Sequence, residues 1–266
     1  MDFLIENNAR QIERITEFLQ SKTPLMLVNG FMGTGKNTVV NHSLASTDAI
    51  MIKYNCFETT VLDDVLLSFF DDFKKLTALN IISTPKIKSE NFVQKINSYF
   101  ESIEKPVIVL FDSFEETLRE NKQEILDFIF HLTSFPNVKI ILISRVFALD
   151  DFEAADYEQV SVQALEKKIF EKYLRANDIK LIGPLSDELY KHTRGYYFYT
   201  TLSLKIMKLK NLSLTDFLGG FTKSLLTFND FILREALALV DPVSMHLFRF
   251  LTMIRHPVSI RLLKTL

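Results

Sequence analysis

The sequence predicts an α/β fold: a parallel sheet flanked by helices, followed by a helical domain. Three observations carry that prediction. Apolar runs such as Val107-Ile-Val-Leu-Phe111 are uninterrupted, as strands buried on both faces of a parallel sheet require. Helical stretches alternate with these runs up to residue 162 and then continue without strands. A glycine-rich loop, Gly30-Phe-Met-Gly-Thr-Gly-Lys-Asn-Thr38, stands between the first strand and a helix.

The elements follow in order. Residues 9–20 place Ile12, Ile15, Phe18 and Leu19 on one face, which gives an amphipathic helix. Leu25–Val28 is a short apolar strand, 36–46 reads as a helix and Ala49–Tyr54 as a second strand. A helix over 60–79 carries Leu62, Val65, Leu66, Phe69, Phe70 and Phe73 on its apolar side. Residues 80–89 form a polar connection containing Pro85. Phe92, Ile96, Tyr99 and Ile103 recur at helical spacing over 90–104. Strand 107–111 ends at Asp112. A helix over 117–133, a strand at Val138–Ser144 and a short strand at Tyr157–Val162 complete the α/β part. Helices are then expected over 163–176, 186–209 and 214–220, and near 229–240, 243–254 and 258–266, with breaks at Pro242 and Pro257.

Composition narrows the function classes. The chain is 47% hydrophobic with 24 Phe, enough for a sizeable core, and its length of 266 residues allows a large domain with smaller ones. Lys+Arg 31 against Asp+Glu 33 gives a net charge of −2, which argues against a dedicated nucleic-acid binder. The single cysteine, Cys56, excludes an intramolecular disulfide and a cysteine zinc cluster; it reads as a small buried apolar residue in a reducing, cytoplasmic setting. Asp2 and Glu6 replace the basic start of a secretory signal, and no apolar stretch approaches the roughly 20 residues of a membrane span.

The loop carries the chemistry. It fits a phosphate-loop pattern at Gly30, Gly35 and Lys36, with Asn37 where Ser or Thr is expected. Backbone N–H groups cradle phosphates only where the chain comes close to them, and Gly30, Gly33 and Gly35 permit that approach. Met32, Thr34, Asn37 and Thr38 complete the expected phosphate-binding set, and Lys36 is expected to reach the β- and γ-phosphates. A hydroxyl at position 37 would hold Mg²⁺. Asn37 offers a carbonyl oxygen, but on a side chain one atom longer, so metal binding is expected to weaken and hydrolysis to slow while nucleotide binding is retained. Thr38 points about 100° away around the helix.

Asp112 closes a buried strand, where an acid can hold Mg²⁺ beside the loop. Asn37 and Asp112 are therefore the candidate metal ligands. Glu115 is the candidate general base, and Glu116 follows it. Both glutamates also suit a helix first turn without any catalytic role. Arg145 ends the fourth strand, in place to touch a γ-phosphate or to form a structural ion pair.

These pieces, in this order, resemble the STAND class of signalling ATPases, with its NB-ARC and NACHT families, among the AAA-related P-loop NTPases. The resemblance runs from about residue 5 to the end. Ile12-Glu13-Arg14-Ile15 looks like that class's first helix, which follows a Gly-Arg pair near the adenine; here the pair is Asn7-Asn8. Ile108–Glu115 is similar to the second motif, with Ser113 where a second acid or Asn often follows the metal-binding Asp. Leu142-Ile-Ser-Arg145 resembles the sensor strand. Thr193-Arg-Gly195-Tyr-Tyr-Phe198 stands where the class has Gly-x-Pro-Leu, with Tyr197 for the Pro; the aromatics at 196–199 suit helix packing or stacking on adenine. Pro242, Leu247, Phe250, Leu251, Pro257, Leu262 and Leu263 look like the opening of a winged-helix domain.

The resemblance implies a nucleotide-binding α/β domain over 1–162, a helical lid over 163–225 and the start of a winged-helix domain over 226–266. It implies ATP or ADP with Mg²⁺ as cofactors, and a protein partner or self-association. The class also carries an effector domain and a repeat sensor, so the chain reads either as part of a longer protein or as a reduced switch. Three functions follow: an ATP-hydrolysing switch, a nucleotide-locked scaffold that does not turn over, and an origin-recognition-type DNA-associated ATPase, which the missing basic excess opposes.

Overall fold

The computed structural model describes residues 2–83, 85, 91–117, 119–180, 183–241 and 243–246. The chain divides into two compact units, Met1–Gln163 and Ala164–Leu266. The first contains, in order, α1 (Asp2–Asn7), α2 (Ala9–Gln20), β1 (Leu25–Asn29), α3 (Lys36–Leu44), β2 (Ile50–Asn55), α4 (Leu62–Ala78), α5 (Phe92–Ser102), β3 (Val107–Asp112), α6 (Arg119–Leu132), β4 (Val138–Ser144) and β5 (Tyr157–Ser161).

The five strands pair in parallel in the order β2-β3-β4-β1-β5. The central strands β1, β3 and β4 are the apolar runs, buried almost throughout. The edge strand β2 alternates buried and exposed residues instead. Parallel pairing brings every strand's carboxyl end to the same sheet edge, where ligands bind in open α/β sheets. The glycine loop after β1, Asp112 after β3 and Arg145 after β4 all leave from that edge.

Alternation sorts the strand side chains onto two faces. Leu25, Leu27, Ile52, Val109, Phe111, Ile140 and Leu142 share one core with Phe69 and Phe73 of α4, Phe100 of α5 and Phe128 of α6. The phenylalanines interlock there: Phe111 lies 5.9 Å from Phe69, which lies 5.9 Å from Phe128, in the tilted geometry aromatic quadrupoles prefer. On the other face α2 packs with α3 and β5. Lys139 of β4 points to that face, over the Phe18 ring, and donates to the carbonyls of Ser21 and Thr23 just past α2. Burial lowers the Lys139 pKa, and the carbonyls that accept from its ammonium satisfy the buried group.

The described residues of the second unit form helices: α7 (Lys167–Ala176), α8 (Gly183–Thr193), α9 (Tyr197–Leu209), α10 (Leu214–Ser224) and α11 (Phe228–Leu237). The helix expected over 186–209 is two helices. Arg194 and Gly195 take left-handed angles, φ 52° and 67°, and a Cβ on Gly195 would lie 2.5 Å from the Leu165 carbonyl oxygen, so the chain turns there. α8 begins at Gly183-Pro184, since proline is tolerated in a helix's first turn. α10 runs through Gly219-Gly220 behind a Ser213–Asp216 capping box. α11 packs on α9 and α10 within the same unit. His192 lies between Phe221 and Phe228, a helix-packing residue. The winged-helix expectation falls mostly outside the described residues, as do much of the 80–89 connection and the helix at 258–266.

Candidate functional site

The glycine loop is shaped as a cradle. Gly33 and Gly35 take φ 85° and 93°, and Gly35 is the N-cap of α3 with no side-chain cap on the helix's first N–H groups. A helix N-terminus so presented favours an anion. Gly30 is required by space: a Cβ there would lie 2.7 Å from the Val162 carbonyl oxygen. Thr34 is buried, its hydroxyl donating to the Phe31 carbonyl at 3.0 Å, which ties the loop's two limbs together. Met32 is exposed at the loop's tip, and Thr38 lies half-buried on α3. Lys36 folds back into the loop and donates to the carbonyls of Gly30, at 2.7 Å, and Phe31, at 3.3 Å. Burial lowers its pKa, against the pull of Glu115 and Asp112, so the two acids lie within electrostatic reach of the lysine.

Asp112 and Asn37 meet, but not as two oxygen ligands. The Asn37 Nδ2 donates to Asp112 Oδ2 at 2.7 Å. An ionised carboxylate only accepts, so the amide must turn its NH₂ to it. The same oxygen also pairs with Lys53 Nζ at 3.3 Å. Lys53 was not among the sequence candidates. It sits on β2, where Lys53, like Asn55, alternates onto the face opposite the aromatic core; Asn55 pairs in register with Asp112. The alternation gives its face, and the β2–β3 register sets it beside Asp112. A divalent cation here would need an oxygen at position 37 and an uncommitted carboxylate. The residues present do not fit one: the Asn37 N–H and the Lys53 ammonium already occupy Asp112 Oδ2.

The second acid is also engaged. Ser113 takes a left-handed φ of 57° and turns the chain into a 3-10 helix over Phe114–Glu116. This turn presents Glu115 to Arg145. The Arg145 backbone N–H donates to Glu115 Oε2 at 3.0 Å and its Nε to Oε1 at 2.5 Å, while Nη2 reaches Glu116. Burial alone would raise the Glu115 pKa, but backbone N–H groups and the Arg145 guanidinium hold it below the usual carboxylate range. Glu115 in turn raises the pKa of Arg145. The candidate base and the candidate sensor are thus each other's partners.

Two other positions that the resemblance singled out have packing partners. Asn8 is buried: its Oδ1 accepts the Gln163 N–H at 2.9 Å and its Nδ2 donates to the Leu4 carbonyl at 3.1 Å, fastening the α1–α2 junction to the chain after β5. Tyr197 stacks on Tyr173 at 5.7 Å inside the helical unit. Cys56 is buried, which pushes its thiol up to about 12.

No family model matches the chain, and no curated protein matches it in sequence. Solved structures do match in shape. A Walker-type ATPase of Pyrococcus abyssi superposes with a TM-score of 0.61 at 16% identity, over 91% of this chain and 75% of that one. A Signal Transduction ATPase with Numerous Domains (STAND) protein with a tetratricopeptide repeat sensor, from Pyrococcus horikoshii, gives 0.58 at 13% identity, over 94% of this chain and 35% of that one. The fold is the one shared with these two ATPase structures. The segment Gly30–Thr38 leads from β1 into α3, and Asp112 closes β3. Among the described residues, no helix is long and apolar enough to cross a membrane.

Proposed function

We propose that this chain binds a nucleoside triphosphate, with ATP and ADP as its ligands, through Gly30–Thr38, and that it works as a STAND-like switch with slow or impaired hydrolysis. The observation that carries the reading is the uncapped N-terminus of α3, entered through left-handed Gly33 and Gly35, with Lys36 folded into the loop. Backbone N–H groups, helix dipole and one ammonium converge there on the place an anion would take. A triphosphate entering the loop would draw Lys36 from the Gly30 and Phe31 carbonyls, exchanging neutral acceptors for charged ones, which make stronger hydrogen bonds.

Slow hydrolysis rests on the acid side. To orient a water, Glu115 must release the Arg145 hydrogen bonds that engage both its oxygens. A nucleotide-locked scaffold is the second reading, favoured by the commitment of Asp112 to Asn37 and Lys53. The reader of the nucleotide state is expected to be a protein partner or another copy of the chain. The net charge of −2 does not favour nucleic acid. Residues 163–225 are proposed as the lid and 226–266 as the start of a further domain.

Equilibrium binding of labelled ATP beside phosphate release tests the reading. Binding that Lys36→Ala weakens roughly 100-fold supports it; no binding by the unaltered chain overturns it. Release at an ordinary enzymatic rate, about 1 s⁻¹ or faster, would overturn the impaired-hydrolysis part.

A further inference from the structure

The disagreement between the acid side and a divalent cation has a positive content. Three features converge on one oxygen, Asp112 Oδ2. It accepts the Asn37 N–H, it pairs with the Lys53 ammonium, and it lies at the sheet edge from which the phosphate loop leaves. Position 37 is the loop helix's second residue, so this cluster is joined directly to the cradle. An ammonium there carries a positive charge, three donors and no acceptor. The ammonium lies 3.3 Å from Asp112 Oδ2 and the side chain is 42% exposed, so its donors are accessible to a phosphate oxygen. The lysine end of the pair is its more exposed end, so a phosphate can reach the ammonium while Asp112 still holds it.

We propose that Lys53, positioned by Asp112 and Asn37, takes the place of the divalent cation, so that this chain binds a nucleotide's phosphates without magnesium. The inference rests on the nucleotide-binding reading of the loop. Lys36 grips the phosphates from the loop side and Lys53 neutralises them from the β2 side, so the charge magnesium usually supplies comes from the protein. A magnesium ion entering beside Asp112 would have to displace the ammonium and turn the Asn37 amide around. Like-charge repulsion opposes the first, and loss of a charge-assisted hydrogen bond opposes the second.

The test titrates ATP and ADP calorimetrically into the full chain, in EDTA and in saturating magnesium. The variants are Lys53→Met, Lys53→Arg and the double variant Lys53→Met with Asn37→Thr. The unaltered chain is expected to bind with affinities within about twofold in the two buffers. Lys53→Met should lose about tenfold or more in EDTA, the size of one charge-assisted contact, and Lys53→Arg should keep most of the binding. The double variant should regain affinity only when magnesium is added. Unaltered-chain affinity that rises tenfold or more with magnesium, or Lys53→Met binding unchanged in EDTA, overturns the proposal while leaving the nucleotide reading intact. Absence of binding in both buffers overturns that reading instead. Should Lys53→Met not fold, the magnesium dependence of the unaltered chain and of Lys53→Arg decides the matter.

Discussion

The two halves of the site face the same sheet edge, yet their states differ. On the loop side, left-handed Gly33 and Gly35 lead into the uncapped N-terminus of α3, and Lys36 is held by neutral carbonyls. On the acid side, the charged groups hold one another: Asp112 with Lys53 and Asn37, Glu115 and Glu116 with Arg145. On the proposed reading the first half supplies most of the grip on a phosphate, with Lys53 adding charge from β2. Activating a water needs an uncommitted acid from the second. On the proposed reading, binding and turnover therefore separate, and acid-side substitutions other than Lys53 are expected to move turnover rather than affinity.

The largest expected effect is on the loop side. Lys36→Ala should weaken ATP roughly 100-fold, the loss of two charge-assisted contacts, in equilibrium binding. Gly35→Ala comes next. It forces a side chain to φ 93° and puts a methyl 2.5 Å from Leu4 Cδ2. A cost of about 1–2 kcal/mol is expected, seen as a melting temperature lower by several degrees. Melting unchanged within a degree would show that the loop relaxes around the methyl.

On the acid side the expected changes are smaller and depend on pH. The folded pKa of Glu115 lies below its ordinary 4.5, so its stabilisation is present above that value and fades as pH falls below it. Glu115→Gln should therefore flatten the acid limb of a melting-temperature profile. An acid limb identical to that of the unaltered chain would mean the Arg145 pairing contributes nothing. Cys56 supplies the alkaline counterpart. Its folded pKa, about 12, exceeds the ordinary 9.0, so its contribution is whole below pH 9.0 and is lost progressively as pH rises toward 12. The buried thiol should resist alkylation near neutral pH until the chain is unfolded. Labelling of the folded chain as fast as of the unfolded chain would contradict that burial.

Much of this was legible in the residues. β1, β3 and β4 are continuous apolar runs because both their faces are covered, and the loop's glycines mark backbone angles other residues avoid. Legibility ended where pairing across the sheet decides the outcome. Lys53 on an alternating edge strand reads like any solvated lysine; only the β2–β3 register sets it beside Asp112. Glu115 and Arg145 were both recognised, but their hydrogen bonds depend on the left-handed turn at Ser113, which no propensity announces for serine. The break between α8 and α9 has the same origin, since Arg194 adopts φ 52° ahead of Gly195.

Separation of grip from chemistry is the central claim, and one paired measurement addresses it most directly: ATP affinity and phosphate release in the same sample, for the unaltered chain and for Arg145→Ala. The expected result is ATP binding in both, with release no faster than about 10⁻³ s⁻¹ from the unaltered chain, the range of unassisted P-loop hydrolysis, and faster release once Arg145 no longer holds Glu115. Rapid turnover by the unaltered chain, with release falling in Arg145→Ala, would contradict it and show that the paired acid side is already the working one.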